Sequence, residues 1–335
     1  MSKILSVAVP SYNVEKYLAD TLASYVAGEV DERLEVLIVD DGSTDATPAI
    51  AAEFVRLWPS IFRVVSKRNG GHGSAVNAGI DAATGKYYRV IDGDDRMCTL
   101  NIPALLDALE ESDADVFVDV KREVNIETGE SWLLTLPPDL PRGVSLSFDE
   151  VCCRDDIEEF FKIHTMSMRT DFLREAGVRL LEHTFYVDYE WAVKIGAAAR
   201  TIAFCDLEGC NYYVGNAEQS VAPANYVRRW GDHTRVTNEL LRFADIARWS
   251  GSLEPARQEF VDMRVRLLVD THYNIALIYD DDRVRGLERA DMFRAFMKQE
   301  HPLFYAWGEK RYRQANVLHR LGFDARKLDR LMGRA

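Results

Sequence analysis

Long apolar runs are missing from this chain of 335 residues. None approaches the ~18 consecutive apolar residues that a bilayer-spanning helix requires, so a protein built on such helices is excluded. Lys3 and the apolar residues 4–9 resemble the start of a secretory leader. Pro10 interrupts a run already too short for one, and no small-residue cleavage site follows. Cysteine is scarce and unpaired in pattern: five residues, with Cys152 and Cys153 adjacent and Cys205 and Cys210 lacking CxxC spacing. That argues against a disulfide framework and a zinc ribbon, leaves structural thiols, and leads us to expect a cytoplasmic protein.

Basic charge is also in short supply. The chain has 41 Lys/Arg against 54 Asp/Glu, a net −13, which speaks against nucleic acid as a partner, because such affinity comes from phosphate neutralisation. The deficit is uneven. From Lys310 to the end there are eight Lys/Arg and two Asp, a local +6 that leaves −19 on the remainder. With Tyr312, Val317, Leu318, Leu321 and Phe323 interspersed, and Leu328, Leu331 and Met332 beyond Gly322, the segment suits a helix on an anionic membrane surface, which would place the protein peripherally on the inner face of the plasma membrane. The competing expectation is a basic helix packed on the protein's own acidic body.

What is present is ordinary globular composition, 47% hydrophobic and 28% charged, in a chain long enough for about two domains. Residues 4–9, 34–39, 62–65, 87–91 and 116–120 are short runs rich in β-branched and aromatic types, bounded by turn signals, and read as strands. Residues 15–26, 46–57, 74–83 and 102–110 carry helical periodicity between them. Strand–helix alternation predicts an α/β fold: a mostly parallel sheet flanked by helices, with functional loops at the carboxyl ends of its strands. Residues 128–148, broken by prolines and glycines, read as a long loop or irregular ribbon. From Tyr226 the pattern is helical, so the expected division is an α/β domain at 1–220, split into halves at 1–120 and 121–220, and a helical C-terminal module at 221–335.

Three segments carry chemistry. Asp40-Asp41-Gly42-Ser43-Thr44-Asp45 ends the second strand; it is a well-capped turn, and its carboxylates can also accept N–H or hydroxyl groups of a base or ribose. Asp92-Gly93-Asp94-Asp95 follows the fourth strand. Three mutually repelling carboxylates within four residues suit a hard cation, Mn2+ or Mg2+, shared with a diphosphate. Between them, residues 69–77 include Gly71, Gly73 and Asn77 beside Lys67 and Arg68, a loop and helix start suited to approach a phosphate or sugar. His72 in that loop reads more readily as a loop histidine than as a ligand.

Together with Val7 to Asn13 and Gly85-Lys86-Tyr87, these segments occur in the order and spacing of family 2 glycosyltransferases, which the chain resembles strongly over about 120 residues and more weakly to about 222. The resemblance implies a GT-A type fold and inverting transfer from a nucleotide-diphosphate sugar. It places Pro10, Tyr12 and Asn13 at the donor base, with Asp41 reading a base N–H, which favours a UDP-sugar, and Asp40 supporting the turn or ribose. Arg68, Gly73 and Asn77 complete the donor set. Asp92 and Asp94 match the metal pair, and Asp95 fills that role in some relatives. The base that deprotonates the acceptor maps to Asp188, although Val187 stands where the family carries glutamate, which makes Glu190 a competitor. His233 is a further candidate for metal or diphosphate, although it reads more readily as a capping or core histidine, and His164-Thr165 for the acceptor side, the acceptor being a hydroxyl of a glycan or lipid-linked glycan of a cell-envelope polysaccharide. Tyr212-Tyr213-Val214 and Gln219-Ser220-Val221 match the family's closing strand and the loop after it. Two other readings stay open: a sugar nucleotidyltransferase, which would carry a glycine-rich basic loop where this chain has residues 10–13, and a catalytically silent sugar-nucleotide-binding partner. Oligomeric state is not legible in the sequence.

Overall fold

Each apolar run becomes a strand, and the connections between them decide which strand ends converge. The protein was studied as a computed structural model that describes residues 3–28, 30, 32–215, 222–325 and 327. It divides into two compact units, residues 1–183 with 194–216, and 184–193 with 217–335.

The first unit holds the sheet. Its strands are β1 (Leu5–Ser11), β2 (Leu34–Asp40), β3 (Phe62–Ser66), β4 (Tyr87–Val90), β5 (Arg96–Met97), β6 (Val116–Asn125), β7 (Ser131–Leu133), β8 (Leu146–Ser147), β9 (Met166–Arg169) and β10 (Thr201–Val214). They lie in the order β3-β2-β1-β4-β9-β6-β10-β5, with β7 on β6 and β8 on β10. Parallel pairing joins β3, β2, β1 and β4, whereas β9 runs antiparallel between β4 and β6. The crossovers are α1 (Leu18–Ala23), α2 (Thr47–Leu57), α3 (His72–Ala82) and α4 (Ile102–Glu111). β1 and β2 are buried along their whole length, as a sheet covered on both faces demands. The segment expected to be loop or ribbon at 128–148 contributes the two short pairings β7 and β8.

The helix expected at 15–26 is shorter, and the reason is local. Glu15 is held by the neighbouring loop: its N–H donates to Asp45 Oδ2 at 3.1 Å and its carboxylate accepts from the Ala46 N–H at 2.8 Å. After Ala23 the backbone tightens, with Ser24, Tyr25 and Val26 each donating to the carbonyl three residues back.

Beneath the sheet lies one buried ion pair. Arg89 of β4 and Asp119 of β6 are both fully buried; Arg89 donates bidentately to Asp119, one bond at 2.9 Å, and to the His164 carbonyl at 2.5 Å. Because β9 separates β4 from β6, this pair ties strands that share no backbone bonds.

The second unit is helical: the first part of α7 (Val187–Ala198), then α8 (Pro223–Arg228), α9 (Trp230–Ser250), α10 (Pro255–Asn274), α11 (Arg283–Glu300) and α12 (Pro302–Arg320), α5 (Phe148–Val151) and α6 (Thr170–Glu175) belonging to the first. Val236, Leu240 and Ala244 of α9 and Val261, Val265, Leu268 and Val269 of α10 form its buried stripe. Tyr312, Ala315 and His319 of α12 are buried, so this stretch of the basic segment is packed rather than free. Gly322 follows at φ +78°, ending the helix where the sequence suggested a break. Leu328, Leu331, Met332 and the Gln219-Ser220-Val221 loop lie outside the described residues. Among described residues no helix is long and apolar enough to cross a membrane.

The buried pair makes a test of this packing. Arg89→Met should cost ~3–5 kcal/mol of stability by stranding the Asp119 charge, and Arg89→Met/Asp119→Leu should recover most of it in denaturant titration. Equal loss in the single and double variants would contradict the pairing.

Candidate functional site

Three loops at the carboxyl ends of β1, β2 and β4 build the site. After β1, Tyr12 leaves its ring half exposed, and Asn13 adopts a left-handed φ of +54°. Its side chain accepts from the Thr44 N–H at 2.8 Å, and its own N–H donates to Ser43 Oγ at 3.1 Å. The first two loops are thereby stitched together, with Pro10 buried at the end of β1.

After β2, Asp40 accepts the Ser43 N–H at 2.9 Å and so shapes the turn. Asp41 is 2% exposed, and its carboxylate takes Lys67 Nζ at 2.6 Å, the Gly70 N–H at 3.0 Å and the Gly71 N–H at 2.8 Å. These bonds fill most of the acceptor capacity of one carboxylate. Gly42 must be glycine: its φ is +78°, and a Cβ there would lie 3.0 Å from the Asn69 nitrogen. Gly71, at φ +83°, caps α3, which starts at His72, two residues earlier than the periodicity suggested.

Two expected donor residues face the chain itself. Asn77 exchanges hydrogen bonds with the Leu180 backbone at 2.9 and 3.0 Å, and a Cβ on Gly73 would lie 2.2 Å from the Leu181 carbonyl oxygen. They hold the 180–181 segment against α3. Arg68 is exposed.

After β4, ligand oxygens of Asp92, Asp94 and Asp95 come within 4.8 Å of one another. Asp95 is 2% exposed and accepts the Tyr213 N–H at 3.0 Å; Thr21 Oγ1 donates to the Gly93 carbonyl at 2.9 Å, fixing the turn from below. Burial and the charges of Asp94 and Asp92 push the Asp95 carboxyl well above its usual range. Asp94 is pushed up to about 6, by loss of solvation and then by Asp92. Asp92 goes the other way: burial would raise it, but His72 outweighs that, with Nε2 2.8 Å from Asp92 Oδ1. The signal for His72 was its place at a helix start about twenty residues before the acidic turn, too common a feature to single it out.

Another missed feature lies on β6 and β10. The Lys121 ammonium stands 4.7 Å from the Tyr212 ring centroid and 2.7 Å from Glu123, and Tyr212 stacks on His164 at 4.5 Å. A lysine inside a strand run gives no sequence cue to such stacking.

In the helical unit, Asp188 is exposed in the first turn of α7, whereas Glu190 is fully buried. Tyr186 before them has φ +68° and stacks on Tyr226 at 4.7 Å. His233, expected at metal or diphosphate, is fully buried among Tyr186, Tyr189 and Tyr226, with Nδ1 2.9 Å from His272 Nδ1, and burial pushes it down to about 3. It is a core histidine, which takes it out of the metal set.

With this geometry in view, the comparisons are informative. The family model described as Glycosyl transferase family 2 matches residues 6–177. The chain is 27% identical over 251 residues to "Uncharacterized glycosyltransferase YibD" of Escherichia coli K12, covering 72% of each. It is 36% identical over 119 residues to "Glycosyltransferase GlyG" of Streptococcus pneumoniae, 35% of this chain and 39% of that one. Among solved structures, Staphylococcus aureus TarS 1-349 in complex with UDP-GlcNAc aligns with a TM-score of 0.64 at 20% identity, covering 96% of this chain and 92% of that one. Mannosyltransferase PcManGT from Pyrobaculum calidifontis in complex with GDP-Man and Mn2+ aligns at 0.50 and 16% identity, covering 96% and 88%. At such identities the likeness shows the fold, which is GT-A with a helical C-terminal region.

Crowded carboxylates predict an unusual variant. Asp95→Asn keeps the size of the side chain and its bond to Tyr213 while removing one buried like charge, so the metal-free protein should melt at or above the wild-type temperature. Manganese should then raise its Tm less than it raises that of the wild type. A clear drop in metal-free Tm would contradict the repulsion.

Proposed function

The chain belongs to glycosyltransferase family 2, and on that premise we propose that it moves a sugar, with inversion, from a UDP-linked donor to a hydroxyl of a glycan or lipid-linked glycan acceptor, in cell-envelope polysaccharide synthesis. The observation that carries the metal part of this reading is the Asp92–Asp94–Asp95 cluster, whose oxygens are close and whose mutual repulsion is only partly relieved by His72. A hard divalent cation, Mn2+ or Mg2+, fits this all-oxygen donor set, with diphosphate oxygens completing it. Bound there, it would supply charge neutralisation to the departing diphosphate.

The chain's own residues account for the rest. Tyr12 offers an exposed ring at the end of β1 for stacking on the base. Asp41 accepts the single ring N–H of uracil once Lys67 has turned from it towards the donor phosphates. Asp188 takes the acceptor hydroxyl proton as the oxygen forms its bond to the anomeric carbon, while the carbon–oxygen bond to the diphosphate breaks and its electron pair leaves with UDP. The exposure of Asp188 and the burial of Glu190 favour Asp188 as that base. Pro10, Asn13, Asp40 and Arg68 frame the donor, and Gly73 and Asn77 support that frame through the 180–181 segment. Peripheral membrane contact is retained for the end of the basic segment, where Val317 and Leu321 are exposed beside Arg320. A cytoplasmic site of action accompanies it.

Three outcomes test this reading. Asp188→Asn should lower turnover by ~100-fold or more with donor binding retained, and Glu190→Gln should act mainly on stability. The reverse pattern would move the base to Glu190. UDP with manganese should raise Tm more than GDP or ADP with manganese at equal concentration, and a GDP preference would contradict the uracil pocket. Because α12 is packed, Val317→Ser/Leu321→Ser at its exposed positions, rather than truncation before 310, is the clean test of the tail: binding to anionic vesicles at low salt should fall while Tm holds. Unchanged vesicle binding would clear the tail of that role.

A further inference from the structure

A cleft of about 480 Å³ opens in the first unit beside the acidic turn, lined by the C-terminal half of α1, by β5 and the turn after it, and by β10. Its volume falls among those of small-molecule sites, ~300–1,000 Å³. None of its residues belongs to the donor set or to the metal cluster. Its polar groups are unusual in combination. Arg96 donates to Asp20 at 2.6 Å and lays its guanidinium 5.0 Å from the Tyr213 ring centroid, so the wall presents N–H donors and a carboxylate acceptor together with no net charge. Asn211, the register partner of Arg96, also lines the cleft. Its Oδ1 is shielded from solvent and accepts no hydrogen bond among the described residues. Such an acceptor is costly to leave unmet. Leu100, 90% exposed, supplies apolar surface at the rim.

We propose that this cleft binds a neutral saccharide unit of the acceptor glycan, away from the hydroxyl that reacts. A paired guanidinium and carboxylate offer a donor and an acceptor side by side, which adjacent sugar hydroxyls match. A sugar O–H satisfies Asn211 Oδ1, and the C–H face of the ring covers Leu100. Absence of net charge disfavours a second phosphate or cation. The position gives the contact a use. β5 begins at the residue after Asp95, and the backbone N–H of Tyr213, which lines the cleft, holds the Asp95 carboxylate. Binding here would hold the acceptor chain next to the acidic turn, and energy from a non-reacting sugar would go into orienting the reacting one. The inference rests on the glycosyltransferase reading for its choice of ligand.

The test uses the full chain on an array of defined neutral oligosaccharides of two to six units, with affinities for those retained measured by titration. Wild type should hold a subset of them. Asn211→Ala and, separately, Arg96→Ala should weaken that binding at least tenfold. Asn211→Ala should keep the wild-type Tm, because it deletes an unmet acceptor rather than a bond, and its Tm rise with UDP and manganese should match that of wild type. No oligosaccharide bound by wild type, undiminished binding by both variants, or a marked fall in the Tm of Asn211→Ala would each overturn the proposal. The UDP response of wild type is read in the same preparation: its absence counts against the transferase reading alone, whereas its presence beside an unresponsive array counts against the cleft alone.

Discussion

Like charge concentrated on one turn is the constraint around which the first unit is arranged. Asp92, Asp94 and Asp95 follow a fully buried strand, which holds their oxygens within 4.8 Å of one another although only Asp95 is itself buried, Asp92 being half-buried and Asp94 exposed. Each is met differently. Asp92 has His72 from the start of α3, Asp95 has a backbone N–H from β10, and Asp94 has neither and is pushed up to about 6. Two elements far apart in sequence thus converge on the turn, and the sheet order β1-β4-β9-β6-β10 is what brings them there. The arrangement leaves a residual negative charge at a fixed point, and on this the proposed divalent cation with its diphosphate rests.

Asp41 applies the same logic to the neighbouring loop. A carboxylate next to a glycine at φ +78° gathers Lys67 and two successive backbone N–H groups, which sets the path from β3 into α3. That path determines where His72 begins its helix, so the loop proposed to frame the donor and the residue that steadies Asp92 share one strut. The Arg89–Asp119 pair supports both from beneath, by fixing β4 against β6. Substitutions at these supports would therefore be felt at the site without touching a ligand.

How far the sequence revealed this depended on the range of the interactions. Strands β1 to β4 were legible because their β-branched runs are local and bounded by turn signals. The acidic turn was legible for the same reason, as was Asp41 from its place at a strand end, whereas Tyr12 was named only through the family resemblance. What escaped were partners supplied from elsewhere: His72 facing Asp92, Lys121 over Tyr212, and Asn77 bonded to Leu180 across about a hundred residues. His233 stayed open between metal ligand and core residue because a histidine on a helix gives no local sign of burial, and its neighbours Tyr186, Tyr226 and His272 come from three separate stretches. The basic segment misled in part for a similar reason, since its buried face is defined by Tyr312, Ala315 and His319 only once the other helices are in place.

The central claim is that the acidic turn and the donor loops form one site in which cation and diphosphate bind together. Calorimetric titration of manganese into the protein, with and without saturating UDP, measures that coupling directly. The account predicts that UDP tightens manganese at least tenfold in the wild type and that Asp94→Asn/Asp95→Asn abolishes the gain. Equal manganese affinity with and without UDP, or UDP binding as tight in EDTA as in manganese, would contradict it.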